Sequence, residues 1–198
     1  MNYTITITRQ FGSLGRPIAR EIADALKIHY YDRDIVEQVS QKLHYPVRLI
    51  SDEEERAKTK FWRMKYPLGR GTTARQDEIF AVERDIITDI ARTESSVIVG
   101  RCSDYILENQ PGCLHVYIYA PYRDRIRNCI ETLHMQEEEA IDMIRSVDEA
   151  RESFHLRYAR YKPEDILHKD LLINSSVLGV DGTAKHIVEI AEDAFGLR

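Results

Sequence analysis

The sequence predicts an α/β fold built on a five-stranded parallel sheet. Three observations predict it. Short β-branched or apolar runs alternate with stretches of helical periodicity along the chain. The run Ser96-Val97-Ile98-Val99-Gly100 is apolar throughout and ends in glycine, the pattern of a strand buried on both faces. The 198 residues, 43% hydrophobic and 31% charged, suit one globular domain that needs neither disulfides nor a structural metal.

The elements follow in order. Tyr3 to Thr8 alternates β-branched residues and reads as the first strand. A turn with Gly12 and Gly15 follows, and Pro17 suits the first turn of a helix carried by Ile18, Ala19, Ile22, Ala23 and Leu26. Ile28 to Asp32 is a second, short strand, and Ile35, Val36 and Val39 begin another helix. From about 46 to 78 the pattern breaks. The acidic run Asp52 to Glu55 gives way to seven basic residues between Arg56 and Arg75, with Phe61, Trp62 and Tyr66 among them. Ile79, Val82, Ile86, Ile87 and Ile90 mark a long amphipathic helix. Strands are expected at 96–100, 114–120 and 171–174. The charged segment from Tyr122 to about Arg160 reads as helical throughout, and a last helix runs from Thr183 to Ala194 with Asp181 as its cap.

Composition narrows the function. Net charge is −5, which argues against a nucleic-acid binder and leaves room for local basic pockets. The aromatic and basic stretch 56–75 is the one segment that suits single-stranded nucleic acid. No apolar run approaches a membrane span, and the first residues do not read as a signal peptide. Cys102, Cys113 and Cys129 have no CxxC spacing, so reduced thiols and a cytoplasmic location are expected. The seven histidines are scattered without metal-ligand spacing and read as bystanders.

In a parallel sheet, ligands bind beyond the carboxyl ends of the strands. That rule gathers the Gly12–Gly15 turn, Asp32, Gly100-Arg101 and Asn174-Ser175 along one edge. A glycine-containing turn entering a helix presents backbone N–H groups to an anion. Gly12, Ser13, Leu14, Gly15 and Pro17 are therefore candidates for cradling phosphates, with Arg16 adding a guanidinium. The full motif GxxxxGK[ST] is absent. With Arg16 in the Lys place, Gln10 replaces the first Gly and Pro17 the Ser/Thr. With Gly12 as an inner Gly, Gly15 falls near the Lys place. Both registers stay open, as does an ordinary strand-to-helix turn with glycines for close packing. Asp32 suits orienting an acceptor hydroxyl, holding a Mg²⁺ water, or capping the next helix. Arg101 suits pairing with a phosphate or with Asp104. Arg151, Arg157 and Arg160 suit a lid over phosphates or a salt-bridged surface helix. Arg123, Arg125 and Arg127 read as a solvated charged face.

Taken in order, several segments resemble the cytidylate kinase-like family, a divergent branch of the P-loop nucleoside monophosphate kinases. They are Ile5 to Ala19, Tyr30-Tyr31-Asp32-Arg33-Asp34, Val97 to Leu107, Tyr119-Ala120-Pro121 with Arg125-Ile126, Val147-Asp148 with Arg151, and Asp170 to Ser176. The resemblance implies a P-loop kinase-like three-layer α/β/α core at about 1–45, 79–145 and 165–198. It also implies a small helical acceptor-binding insertion at about 46–78 and a lid at about 146–164. The implied reaction moves the γ-phosphoryl group of ATP, with Mg²⁺, to a small-molecule acceptor. Gly12, Ser13, Gly15 and Arg16 then fall on the phosphate loop, Asp32 and Arg101 near the acceptor, and Arg151 and Arg157 on the lid. Two departures stand out. The loop has no Walker Lys, and Leu14 occupies a place where the branch usually has Gly. They motivate a second reading, a kinase-fold module that binds a nucleotide or another anion without turnover.

Overall fold

The structure is a computed structural model that describes residues 2–32, 34–44 and 73–197. Five strands, β1 (Thr4–Arg9), β2 (His29–Tyr31), β3 (Ser96–Val99), β4 (Cys113–Tyr119) and β5 (Leu171–Asn174), form one sheet in the order β2-β3-β1-β4-β5. Every pairing is parallel. β1 is central, so its Ile and Thr residues are buried alike. Ile5 and Ile7 enter one face of the core, while Thr4, Thr6 and Thr8 lie on the other.

Helices cover both faces, as parallel sheets require. On one face α1 (Gly15–Leu26) and the terminal helix α7 (Ser175–Phe195) bury Ile18, Ile22 and Ile187 against Ile5, Val97, Val116 and Ile118. On the other, α2 (Asp34–Leu43) and α3 (Thr73–Thr93) pack Ile35, Val39, Ile86 and Ile87 on Ile98 and Leu107. Each fully buried isoleucine contributes about 1.5–3 kcal/mol of transfer free energy. A third cluster joins Phe11 of the first turn to α5 (Tyr122–Glu131) and α6 (Glu137–Tyr158) through Cys129, Met143, Ile144 and Val147.

The expected strands are all present. The helices differ in four places. Helix α3 begins at Thr73, earlier than Ile79. A short helix α4 (Ser103–Ile106) follows β3 without a periodicity long enough to announce it. The segment 122–160 is not helical throughout. It breaks between α5 and α6, where His134 takes φ +56° and Met135 turns into the core. Glu137, Glu138 and Glu139 then favour a new helix start through the macrodipole. Helix α7 starts at Ser175, capped by the Asn174 side chain, which accepts from Ser176 N–H at 3.0 Å. Gly179 is non-helical (φ +67°, ψ −168°) and kinks it, and Asp181 follows two residues later, in the first turn beyond the kink. The expected insertion, as far as residue 72, lies outside the described residues, as does most of the 56–75 basic stretch.

Gly12 has φ +76°, and a Cβ there would stand 2.8 Å from the Arg125 carbonyl oxygen. Gly12→Ala is therefore expected to cost about 1–3 kcal/mol, read as a lower urea midpoint with an unchanged slope.

Candidate functional site

The carboxyl ends of the strands open onto a cavity of about 440 Å³. Its lining brings together Arg9, Arg16, Asp32, Gly100, Arg101 and Arg151, with Tyr117 of β4 and Phe154 and His155 of α6 also on its wall. A smaller cavity of about 80 Å³ adjoins it along the first turn, lined by Gly12, Leu14, Gly15, Arg16 and Pro17.

Local geometry explains this turn. Leu14 sits in the left-handed region (φ 59°, ψ 22°) and α1 opens directly after it with no side-chain cap. The first-turn N–H groups of the helix are thus left to an outside acceptor. Helix α1 begins at Gly15, one residue before Arg16. Ser13 turns away from both cavities: its hydroxyl donates to the carbonyls of Gln10 at 2.9 Å and Ile118 at 3.2 Å. It fixes the loop, and Ser13 is in the lining of neither cavity. The Phe11 N–H donates to Asp148 Oδ1 at 2.8 Å, so α6 reaches the loop through a carboxylate.

Asp32, 7% exposed, lies 2.7 Å from Arg16 Nε and 3.9 Å from Arg9 Nη2. Burial alone would raise its carboxyl, but Arg16, Arg9 and Arg101 together hold it below the usual carboxylate range. It is ionised at neutral pH and already engaged. Arg101 does not pair with Asp104. Its Nη1 lies 3.0 Å from Glu83 Oε1 on α3, a carboxyl that burial pushes up. Gly100, Arg101 and Cys102 take φ of +77°, +61° and +50° in succession. Two non-glycine residues held there store strain, which is characteristic of binding sites. Arg151 Nη1 donates to the Arg9 carbonyl at 2.9 Å, so the α6 arginine does reach the loop. Arg157 lines neither cavity. It bonds Asp77 at 2.8 Å on the solvent side.

Sequence reasoning missed several participants. Arg125 is buried, not solvated: it pairs with Asp148 and donates to the Phe11 carbonyl at 3.3 Å. Arg9 falls just past the expected first strand and draws no role from the sequence, yet it ends β1 and lines both cavities. His155 is no bystander. With Lys169 it meets Asp104 in a buried cluster, at 3.0 Å and 2.5 Å from Oδ2. The cluster fastens the end of α6 to α4 and to the approach of β5.

A parallel sheet of order 2-3-1-4-5, with a glycine turn from the central strand into an uncapped helix, defines the P-loop kinase-like class of α/β proteins. Residues 4–177 match the cytidylate kinase-like family, and the chain belongs to it. Solved structures agree on the fold. An uncharacterized protein from Eubacterium ventriosum superposes with a TM-score of 0.74 at 21% identity, covering 96% of this chain and 99% of that one. The shikimate kinase of Bacteroides thetaiotaomicron superposes at 0.55 with 14% identity, covering 96% and 98%. That of Acinetobacter baumannii, solved in complex with shikimate, reaches 0.51 at 11%, covering 100% and 96%. No curated protein matches the sequence. Among the described residues no helix is long and apolar enough to cross a membrane.

The Asp104 carboxyl, raised by burial, is held down more strongly by His155 and Lys169 and titrates below the ordinary range. Its stabilisation is complete above the ordinary carboxyl pKa and is lost as pH falls from there toward the depressed value. Asp104→Asn leaves two buried basic groups uncompensated and is expected to cost roughly 3–5 kcal/mol. In urea titrations from pH 7 down to pH 2, its deficit should narrow with acid. A constant deficit would assign the loss to packing.

Proposed function

We propose that this chain transfers the γ-phosphoryl group of ATP to a small acceptor, in the manner of a nucleoside monophosphate kinase. The observation that carries the reading is the junction of an uncapped helix start with a cavity that gathers Arg9, Arg16, Arg101 and Arg151 around Asp32. Phosphoryl transfer asks a protein mainly for positioning and charge neutralisation. Both are offered here.

The site fits a nucleotide's phosphate chain: free helix N–H groups and guanidiniums are what phosphates seek. The fit to Mg²⁺ is looser. Among the described residues no group of three His, Cys, Asp or Glu side chains stands ready to hold a metal. Mg²⁺ that travels with phosphates and water asks for only one or two carboxylates, and Asp32 and Asp148 line the cavity. The bound nucleotide and its Mg²⁺ supply the activated phosphoryl group. The chain does the rest. The α1 amides at Gly15 and Arg16 orient the phosphates. Arg16 bridges the loop and Asp32. Asp32 and Arg101 place the acceptor, whose oxygen forms the new P–O bond as the bond to the β-phosphate breaks. Arg151, on the lid at about 146–164, closes the site over the loop, and Arg157 stays on the lid's outer side.

One observation favours a second reading, an anion-binding module without turnover. Asp148 already occupies the Phe11 N–H, and Ser13 is turned inward, so the loop's polar groups are partly spent within the protein.

An ATP-consumption assay with Mg²⁺ and a panel of CMP, dCMP, UMP, AMP, GMP and non-nucleotide hydroxy acids separates the two. Turnover is expected with at least one acceptor, and Asp32→Asn and Arg101→Gln should lower kcat/KM by about a hundredfold. ATP binding by calorimetry with no turnover would favour the binding module. No ATP binding would overturn the kinase reading and confine the module to another anion.

A further inference from the structure

Four residues line both cavities: Arg9, Gln10, Arg16 and Arg151. The small cavity follows the loop and the start of α1, and the large one holds Asp32, Gly100 and Arg101. A phosphate chain lying on the loop therefore ends at this shared wall. Three of the four residues there are arginines, and they are not equivalent.

Arg16 is engaged. Its Nε lies 2.7 Å from Asp32 Oδ2 and its Nη2 donates to Oδ1 at 3.4 Å, so it points toward the end of β2. Arg151 is engaged as well, on the Arg9 carbonyl at 2.9 Å. Arg9 differs. Among the described residues, the nearest carboxylate oxygen to its guanidinium is 3.9 Å away, beyond hydrogen-bond distance. Its Nε is buried with no hydrogen-bond partner, as is that of Arg16, so what sets Arg9 apart is its distance to Asp32, 3.9 Å against 2.7 Å for Arg16. Burial, then the charge of Arg151, push its ionisation well below the usual arginine range, and Asp32 offsets only part of this.

The backbone is shaped to admit this side chain. A Cβ on Gly100 would stand 2.2 Å from Arg9 Nη1, and one on Gly15 would stand 2.8 Å from Arg9 Cβ. Gly100 and Gly15 thus leave a slot that the arginine fills. A buried cation with donors to spare is costly unless an anion arrives to meet it.

We propose that Arg9, rather than Arg16, is the cation that touches the terminal phosphate at the junction of the two cavities and takes the place of the missing loop lysine. The identity of the anion rests on the kinase reading. The geometry of the open guanidinium does not. Arg16 then serves the acceptor side, through Asp32.

The test compares Arg9→Met, Arg9→Lys and Arg16→Met with the parent chain. The probe is sodium tripolyphosphate, followed by calorimetry and by thermal melting. The parent should bind it and melt at a higher temperature in its presence. Arg9→Met should melt close to the parent in anion-free buffer, because the charge it removes is buried and its carboxylate contact, Asp32, stands 3.9 Å away. It should also bind tripolyphosphate about tenfold more weakly or worse. Arg9→Lys should recover part of that affinity, and Arg16→Met should lose less than Arg9→Met. Three results would each overturn the proposal: Arg9→Met melting well below the parent, the reverse order of the two Met variants, or no binding to the parent. If the parent binds tripolyphosphate in the expected order but transfers no phosphoryl group to any acceptor, the kinase reading fails and the assignment of Arg9 stands.

Discussion

The Asp148 carboxylate is the interaction on which the loop's shape depends. One oxygen accepts the Phe11 N–H, and the other pairs with Arg125 of α5, while Arg151 stands 3.9 Å away on Asp148's own helix. A single carboxylate thus joins the turn, α5 and α6. Arg125 adds a bond to the Phe11 carbonyl, and Asn128 of the same helix donates to the Gly12 carbonyl at 2.9 Å. The loop is held on its outer side by α5 and α6 and on its inner side by Ser13. Rigid support of this kind is what a phosphate site needs, because misplacement by a fraction of an ångström weakens charge-assisted hydrogen bonds.

The two glycine-led turns, after β1 and after β3, solve one problem together. Arg9 must leave the end of the central strand and cross toward β3. Only residues without a Cβ allow it at Gly15 and Gly100. The turn at Gly100 then continues through Arg101 and Cys102 in left-handed conformation, which delivers Arg101 to Glu83 instead of to its sequence neighbour Asp104. Asp104 is freed for His155 and Lys169. One constraint, room for a buried arginine, therefore reaches both the Asp32 and Arg101 side of the cavity and the cluster that anchors the end of α6.

The strands were legible because their signal is local. β-Branched runs such as Thr4–Arg9 and Ser96–Val99 need no knowledge of their neighbours. The glycine turn and the arginines at 16, 101 and 151 could be placed along one edge because parallel topology fixes which ends of the strands face the ligand. What stayed hidden depends on contacts far apart in sequence. Arg125 reads as solvated until Asp148, 23 residues on, is brought to it. His155 reads as a bystander until Asp104, 51 residues back, meets it. Arg9 draws no role from the sequence, although Gly15 and Gly100, the two glycines that make room for it, are both visible there. The break before α6 was missed because a run of charged residues is compatible with one long helix or with two.

The chain is acidic overall, at −5, yet the cavity at the carboxyl ends of its strands is lined by four arginines. Net charge and site charge are separate quantities: the first governs solubility and long-range attraction, and the second governs what can be bound. Three of the four arginines are fastened by contacts within the protein, on Asp32, Glu83 and the Arg9 carbonyl. Fastened arginines define where an anion can lie without themselves being satisfied by it. The fourth is loosely paired and sits where the two cavities meet. A site with one open cation among three committed ones discriminates by position: an anionic group that reaches the junction gains the full interaction, and one that stops short in either cavity gains little.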